Sequence, residues 1–474
     1  MTRDPTDQSV PFRAVGLLAS LVIVMLAVLL ERIVATRLAV LVACFAAATT
    51  ILLARHLYGR REWYLLFLCA VLIALTLRLH PQPLASIETG TEQAAFLMAF
   101  VLLLGLVNHA ASSSLSVRQV GAFLTRQPPG RRFRALYVGT GAMSVLFNLG
   151  VVSFLTPLIQ KGVQAEEKVP ELSALNERRQ LSAMMRGFAW SVIWSPTAMA
   201  PLAMMEILPG VDRSLWIGIG LVIFVAFLFV GSIEDRLRFR AVLSPAKPVA
   251  MLPFPRAGMM RLLLSCAWLF GLSGIISWLT EESIVFGLMA ASPVMLAGWI
   301  YAQKRSESLR PVNETGQVLR HVFIVQLPRS TPVAVTLAAS GFIGRLSADI
   351  VPVEKLAEAL GLSQLPEFIL LWFIPIAVSL LSLLGVSPIM LAVFFGSLFA
   401  AFPEMPADAT LIALAISCGW SLAMMFSPFA TVVIIVSLIS GHPAGRLSAG
   451  WNLWFGFICS LLLLPVFWML TGGQ

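Results

Sequence analysis

Thirteen apolar runs, most of them close to membrane-spanning length, follow one another from 14–30 to 447–471. A hydrocarbon core about 30 Å thick takes roughly 20 apolar residues per helical crossing. Barrel strands would place a polar, lumen-facing residue at every second position, and these runs do not. The expected fold is therefore an all-α polytopic membrane protein. With 58% of residues apolar and only 12% charged, no stretch between the runs is long enough to bury a soluble core of its own.

The net charge of +9 sits in short loops: Arg55, Arg60 and Arg61; Arg118, Arg126, Arg131, Arg132 and Arg134; Arg236, Arg238, Arg240 and Lys247; Lys304, Arg305 and Arg310. Basic clusters between apolar spans mark cytoplasmic loops, because Lys and Arg resist translocation. They need water and anionic headgroups of the lipid bilayer as partners, and no nucleic acid. The five cysteines fall inside apolar runs without CxxC spacing and read as small core residues. Residues 14–30 lack a following small-residue cleavage site and read as an uncleaved first span.

The chain says nearly the same thing twice. Gly187-Phe188-Ala189 followed by Trp194-Ser195-Pro196-Thr197-Ala198 returns as Gly419-Trp420-Ser421 followed by Phe426-Ser427-Pro428-Phe429-Ala430. Upstream, the stretch from Ser144 to Val151 returns from Ser379 to Val386. Each copy sets Gly or Ser-Pro inside an apolar run, and duplicated, broken apolar segments are the best sequence pointer to a secondary transporter and its binding site. One Ser-Pro alone would read as a plain kink.

Loop charge then sets the architecture. Thirteen crossings would put the loop with Arg236, Arg238, Arg240 and Lys247 outside, so an earlier segment must turn back. Residues 134–160 have basic flanks at both ends and a Gly-containing middle, which fits a re-entrant hairpin. Its mate at 367–401 bends at Gly385-Val386-Ser387-Pro388 between acidic flanks and enters from the opposite face. The expectation is about 11 transmembrane helices plus two re-entrant hairpins in an inverted repeat, with the N-terminus inside and the C-terminus outside. Its parts are an N-terminal segment and leading helix (1–36), repeat 1 (37–234, broken helix 183–209), a cytoplasmic loop (235–257) and repeat 2 (258–474, broken helix 409–440). Amphipathic stretches at 116–124 and 353–360 precede the two hairpins and read as interfacial helices.

With these features the chain resembles the ion transporter superfamily, which includes divalent-anion/sodium symporters, citrate-type permeases and arsenite-permease-like carriers. The resemblance implies a bacterial plasma-membrane carrier, a homodimer through the leading helix and early spans, and ligands held at the hairpin tips and helix breaks. On this chain those positions are Ser144, Asn148 and Gly150 in the first tip and Ser382, Gly385 and Ser387 in the second. The breaks are Ser195, Pro196 and Thr197, and Ser427, Pro428 and Thr431. The Ser-Asn-Thr triplet of that family is absent from both tips.

Physically, a mid-helix proline frees backbone carbonyls, which survive at membrane depth only in protein or beside a wet cavity. Carbonyls and hydroxyls suit Na⁺, and half-helix N-termini suit an anionic substrate. Mid-span carboxylates and histidines, which a proton relay needs, are nearly absent, and Glu206, Arg186 and His109 read as span-end residues. Lys161, Arg186 and Arg329 are available to attract an anion. The expected function is secondary transport of a small organic anion coupled to Na⁺, with Na⁺ at the Ser195 and Ser427 breaks and no other cofactor. Enzyme motifs such as GxSxG, HExxH or a Walker lysine loop are missing. A non-transporting scaffold or partner subunit is the alternative, with a membrane-embedded enzyme behind it.

Overall fold

Helix is the only regular structure among the described residues, as hydrocarbon demands, because a helix pairs its backbone groups within one segment. The computed structural model describes residues 12–112, 114–166, 169–239, 253–307, 310–350, 365–386, 388–402 and 404–473. The amphipathic stretch expected at 353–360 and most of the expected loop at 235–257 lie outside these residues, as does Ser387.

The chain begins with α1 (Phe12–Val34), α2 (Arg37–Leu53), α3 (Arg60–Leu79) and α4 (Pro83–Ser112). Then come α5 (Leu115–Thr125), α6 (Pro129–Phe147), α7 (Gly150–Glu166), α8 (Pro170–Ser191), α9 (Met199–Ile207) and α10 (Arg213–Phe239). The middle holds α11 (Arg256–Thr280), α12 (Ile284–Glu307), α13 (Pro311–Arg329) and α14 (Thr331–Ile350). The last part holds α15 (Glu367–Leu383), α16 (Pro388–Ala400), α17 (Ala409–Phe426), α18 (Thr431–Ser440) and α19 (Trp451–Leu470).

Nine stretches among the described residues are long and apolar enough to cross a membrane, the α17–α18 stretch counting as one of them. The pair α13 and α14, bent by 51°, supplies a tenth if taken as one span. The eleventh expected span, α8 with α9, is not among them: it is interrupted between Ser191 and Met199, and α8 carries Glu171, Glu177, Arg178 and Arg179 in its first half. The α13 helix has no apolar run and escaped the sequence reading. Its chain passes through a π-helical turn at Val322–Gln326, just ahead of Pro328.

The helices gather into two compact units, each discontinuous along the chain: Met1–Ala110 with Trp268–Leu346, and Ala111–Ala267 with Ser347–Gln474. The expected boundaries follow the chain, whereas the units cut across both repeats and each takes one part of either copy. In the first unit α1 packs along α2, where Thr50 donates to Ser20 at 2.9 Å. Glycines allow close approach there too: a Cβ on Gly287 of α12 would lie 2.2 Å from the Ser273 carbonyl of α11.

The second unit holds every described residue of the expected site. Each expected hairpin is a helix pair, α6–α7 and α15–α16, turning at Asn148 and Gly385. Each broken helix is a second pair, α8–α9 and α17–α18. The packing repeats: α6 lies on α8 as α15 lies on α17, while α7 reaches α18 of the other copy and α16 reaches α9. The amphipathic stretch at 116–124 is helical, as α5, and packs against α6 and α7.

The unbroken α10 shows how the two copies are oriented. At its C-terminal end, Arg179 and Arg186 of α8 bind Asp235 and Glu234. At its start, the Asp212 amide donates to Thr410 in the first turn of α17 at 3.0 Å. Thus α8 and α17 begin at opposite ends of one helix and run antiparallel, as an inverted repeat requires.

Candidate functional site

Each broken helix is pressed onto its hairpin at a glycine. A Cβ on Gly187 would stand 2.2 Å from the Tyr137 carbonyl, and one on Gly419 would stand 2.7 Å from Val378 Cβ. Only hydrogen at these positions lets the backbones approach so closely, which is how small residues build helix interfaces in membranes. Both glycines belong to the duplicated sequence, so the repeat first encodes a packing contact. The breaks follow eight residues later in both copies.

At the first break α8 ends at Ser191, and the chain passes through Ser195-Pro196-Thr197 before α9. Ser195 and Thr197 are buried, with their hydroxyls 3.3 Å apart. Thr197 Oγ1 donates to the Val145 carbonyl in the last turn of α6. Ser144 Oγ meets Ser191 Oγ at 2.8 Å, a second tie between hairpin and break. Pro196 is half-buried between the two hydroxyl residues.

The second break has the same construction. Ser427 is fully buried, and its Oγ donates to the Ser382 carbonyl at 2.8 Å, again in the last turn of the hairpin's first helix. The Phe429 amide donates back to Ser427 Oγ at 3.2 Å, which sets the turn across Pro428. Ser379 donates to the Gly419 carbonyl at 3.4 Å. Thr431 opens α18 and Gly150 opens α7, so both stand at half-helix N-termini. The Ser382 hydroxyl is buried without a hydrogen-bond partner among the described residues. An orphaned hydroxyl at a hairpin tip is available to a ligand.

Tip geometry corrects the register of the repeat. The sequence pairs Gly150 with Gly385, but the left-handed tip residues are Asn148, at φ 45°, and Gly385, at φ 86°. Gly385 takes this conformation at no steric cost, whereas Asn148 holds it against its own Cβ, a strain of about 1–3 kcal/mol. Conformation, not residue type, marks the equivalent position.

The two copies meet on their own equivalents. Ser421 Oγ donates to the Ala189 carbonyl at 2.7 Å, and the two residues are 232 apart, the offset that also separates Gly187 from Gly419 and Ser195 from Ser427. A position touching its own counterpart lies on a two-fold axis, as in an isologous interface. The breaks therefore flank one central crossing of α8 and α17.

Sequence reading missed three further features. First, Arg186 is not a span-end residue reaching water: it is 2% exposed, with its guanidinium on Glu234 at 2.7 Å, on Asn452 at 2.8 Å and over the Phe455 ring at 4.2 Å. Its partners lie far along the chain, in α10 and α19, so the apolar pattern hid the pairing. Second, α10 and α19 each press a glycine on the residues before a break, Gly220 on Ile193 and Trp194, Gly456 on Met425 and Phe426. Third, Arg213 lies beside the first break. A longer search of the duplication would have found the glycine pair.

Among the described residues no group of three or more His, Cys, Asp or Glu side chains could hold a metal ion. The polar groups gathered at the breaks are hydroxyls and backbone carbonyls, hard oxygens in the sense that alkali cations favour.

No family model matches the chain, and no curated protein matches it by sequence. Solved structures do. The chain is similar to the YdaH transporter of Alcanivorax borkumensis, whose structure is described as having an unusual topology, at 16% identity and a TM-score of 0.53, over 87% of this chain and 99% of that one. It is also similar to MtrF of Neisseria gonorrhoeae, described within a class of antimetabolite efflux pumps, at 11% identity and a TM-score of 0.54, over 86% of this chain and 94% of that one. The likeness is one of fold.

Proposed function

We propose that the chain is a secondary active transporter of a small organic anion, working by alternating access with Na⁺ rather than H⁺ as the coupling ion. One observation carries this reading. Two antiparallel helices are broken at equivalent Ser-Pro steps, and each break is tied by a hydroxyl to the last turn of a helical hairpin. Broken helices facing one another across a two-fold axis at membrane depth are the architecture of carrier binding sites. The fold shared with two bacterial transporters supports it.

The preference for Na⁺ rests on the donor set. The twelve expected site residues include no titratable side chain, so none of them can relay a proton. The anion preference rests on the half-helix N-termini at Gly150 and Thr431. Membership of the ion transporter superfamily, a bacterial plasma-membrane location and a homodimer belong to the same proposal, with the first compact unit as scaffold.

The test is flux in proteoliposomes. Purified protein should carry labelled organic anions down an imposed Na⁺ gradient, and a pH gradient should not replace it. Both directions need measuring, since MtrF is described among efflux pumps. Absence of flux for every anion under either gradient would return the chain to the scaffold reading.

A further inference from the structure

We propose that the groove between α10 and α19, at the basic end of α10, binds an anionic phospholipid, with its phosphate held by Arg238, Arg446 and Arg178 and one acyl chain lying along the groove. The site does not depend on which solute the chain carries.

The groove follows from how the two helices touch. Their buried faces meet at Gly231, where a Cβ would stand 3.2 Å from the Phe455 ring. Outside that contact the helices leave a groove of about 680 Å³, open along its outer side and within the size range of sites that hold a drug-sized molecule. Val230, Ile233 and Leu237 of α10 and Trp454 and Ile458 of α19 line it, at helical spacing on each side. Ile233, Leu237 and Trp454 are each more than half exposed, so in a bilayer they meet acyl chains. Arg238 lies two turns beyond Val230, about 12 Å along the helix, which is depth enough for the upper part of a chain.

Charge gathers at the mouth of the groove, around Trp451. The guanidiniums of Arg178 and Arg446 lie 5.8 and 5.7 Å from the Trp451 ring, and Arg238 Nη1 donates to its carbonyl at 3.5 Å. Arg178 is within electrostatic reach of Arg238, Arg446 and Arg186 together. These four guanidiniums face one carboxylate, Glu234, whose two oxygens are taken by Arg186 at 2.7 Å and Arg238 at 3.1 Å. The nearby acids are engaged elsewhere: Asp235 holds Arg179, and Glu177 faces His442 and Gln160. No described carboxylate lies within ion-pair distance of Arg178 or Arg446. Both Arg238 and Arg446 are exposed. A surplus of crowded guanidiniums attracts an anion.

Membrane depth and charge select the occupant. The basic end of a spanning helix lies at headgroup level, where clustered arginines draw anionic lipids. A guanidinium fork matches phosphate oxygens, and the apolar groove directly beneath matches the chain of the same molecule. A zwitterionic lipid would bring its own cation into the cluster. A second copy of this chain, seated on the groove by a two-fold axis, would set Arg238 and Arg446 against their own counterparts. Charge therefore favours lipid over self-association.

Full-length protein, stripped of lipid in a maltoside detergent, tests the site by native mass spectrometry. The titrants are dioleoyl phosphatidylglycerol, dioleoyl phosphatidylcholine and glycerol phosphate, which is a head group without chains. The tightest phosphatidylglycerol should bind at least 10-fold better than phosphatidylcholine, and glycerol phosphate more weakly than either. Arg238→Gln and Arg446→Gln should each weaken that tightest site about 5-fold, and together more than 10-fold. Arg60→Gln, at an exposed arginine of the first unit, should leave it unchanged. Unaltered melting of the variants without lipid establishes that the fold persists. Equal affinity for the two lipids, or undiminished phosphatidylglycerol binding in the double variant, would overturn the proposal. So would glycerol phosphate binding as tightly as lipid, which would make the cluster a site for free phosphate. Cross-linking of Leu237→Cys between two copies would place a second chain in the groove and equally refute it.

Discussion

Ser421 donates a 2.7 Å hydrogen bond to the carbonyl of Ala189, and these two residues occupy one and the same place in the two copies of the repeat. The contact puts the two-fold relation of the second unit at the crossing of α8 and α17. Everything that duplicates, including the Ser-Pro breaks, the hydroxyl ties and the glycine contacts, is arranged around that point. A site built there is seen alike from both copies.

The crossing glycines should be intolerant in unequal degree. A Cβ on Gly187 meets backbone at 2.2 Å, whereas one on Gly419 meets the Val378 side chain at 2.7 Å and Pro375 Cα at 3.0 Å. Gly187→Ala should lower stability by about 1–3 kcal/mol through overpacking, and Gly419→Ala by less. Gly218→Ala on α10, where nothing lies within 4 Å, serves as control. Thermal melts in detergent read the order, and equal melting of all three would refute the close approach.

Restoring the helices should stop transport. Pro196→Ala or Pro428→Ala allows the backbone ladder to close across the break, which withdraws the freed carbonyls. Coupled flux should vanish while the detergent melting point falls little or rises. Wild-type flux in both variants would move the site elsewhere.

The hydroxyl ties should matter twice over. Thr197→Val leaves the Val145 carbonyl without its donor, and Ser427→Ala does the same to Ser382. Each should cost about 1–3 kcal/mol and slow flux by an order of magnitude or more. A loss of stability with unchanged flux would assign the ties to folding alone.

At the first tip, strain and chemistry can be separated. Asn148→Gly suits the positive-φ backbone and should fold at least as well as wild type, whereas Asn148→Ala keeps the Cβ and should be about 1–2 kcal/mol less stable than Asn148→Gly. Both lack the amide, so both should transport poorly if that amide is a ligand. Full activity in Asn148→Gly would reduce the position to a turn.

The buried pair Arg186–Glu234 should couple strongly. Arg186→Met removes the shorter of two ion pairs on Glu234 and leaves Arg238 as its partner, and should cost about 1.5–3 kcal/mol. The double change Arg186→Met with Glu234→Leu should recover much of that loss. A double-mutant cycle with additive costs would contradict the pairing.

How much of this was legible beforehand follows from the range of each interaction. Run length and loop charge are local properties, so the helical class, the two hairpins and the breaks at Ser195 and Ser427 could be read directly. The α5 helix could be read from its amphipathic pattern. Register at the tips could not, because Asn148 matches Gly385 by backbone conformation rather than by type. The burial of Arg186 is hidden from sequence for a related reason: a charged residue in an apolar run is costly in lipid but stable beside Glu234, and Glu234 is 48 residues away.

The sequence by itself determined that this chain crosses a membrane many times as helices, that it is built twice over, and that both copies break at Ser-Pro. Lipid leaves the backbone no other solution, and proline and glycine act within one turn of where they stand. Only the tertiary structure decided which residues meet across the two-fold axis, which hydroxyls hold the breaks to the hairpins, and that Arg178, Arg238 and Arg446 gather around Trp451. Those meetings depend on glycines such as Gly187 and Gly220 letting distant helices touch, and a close approach is a property of two surfaces that no single stretch of chain contains.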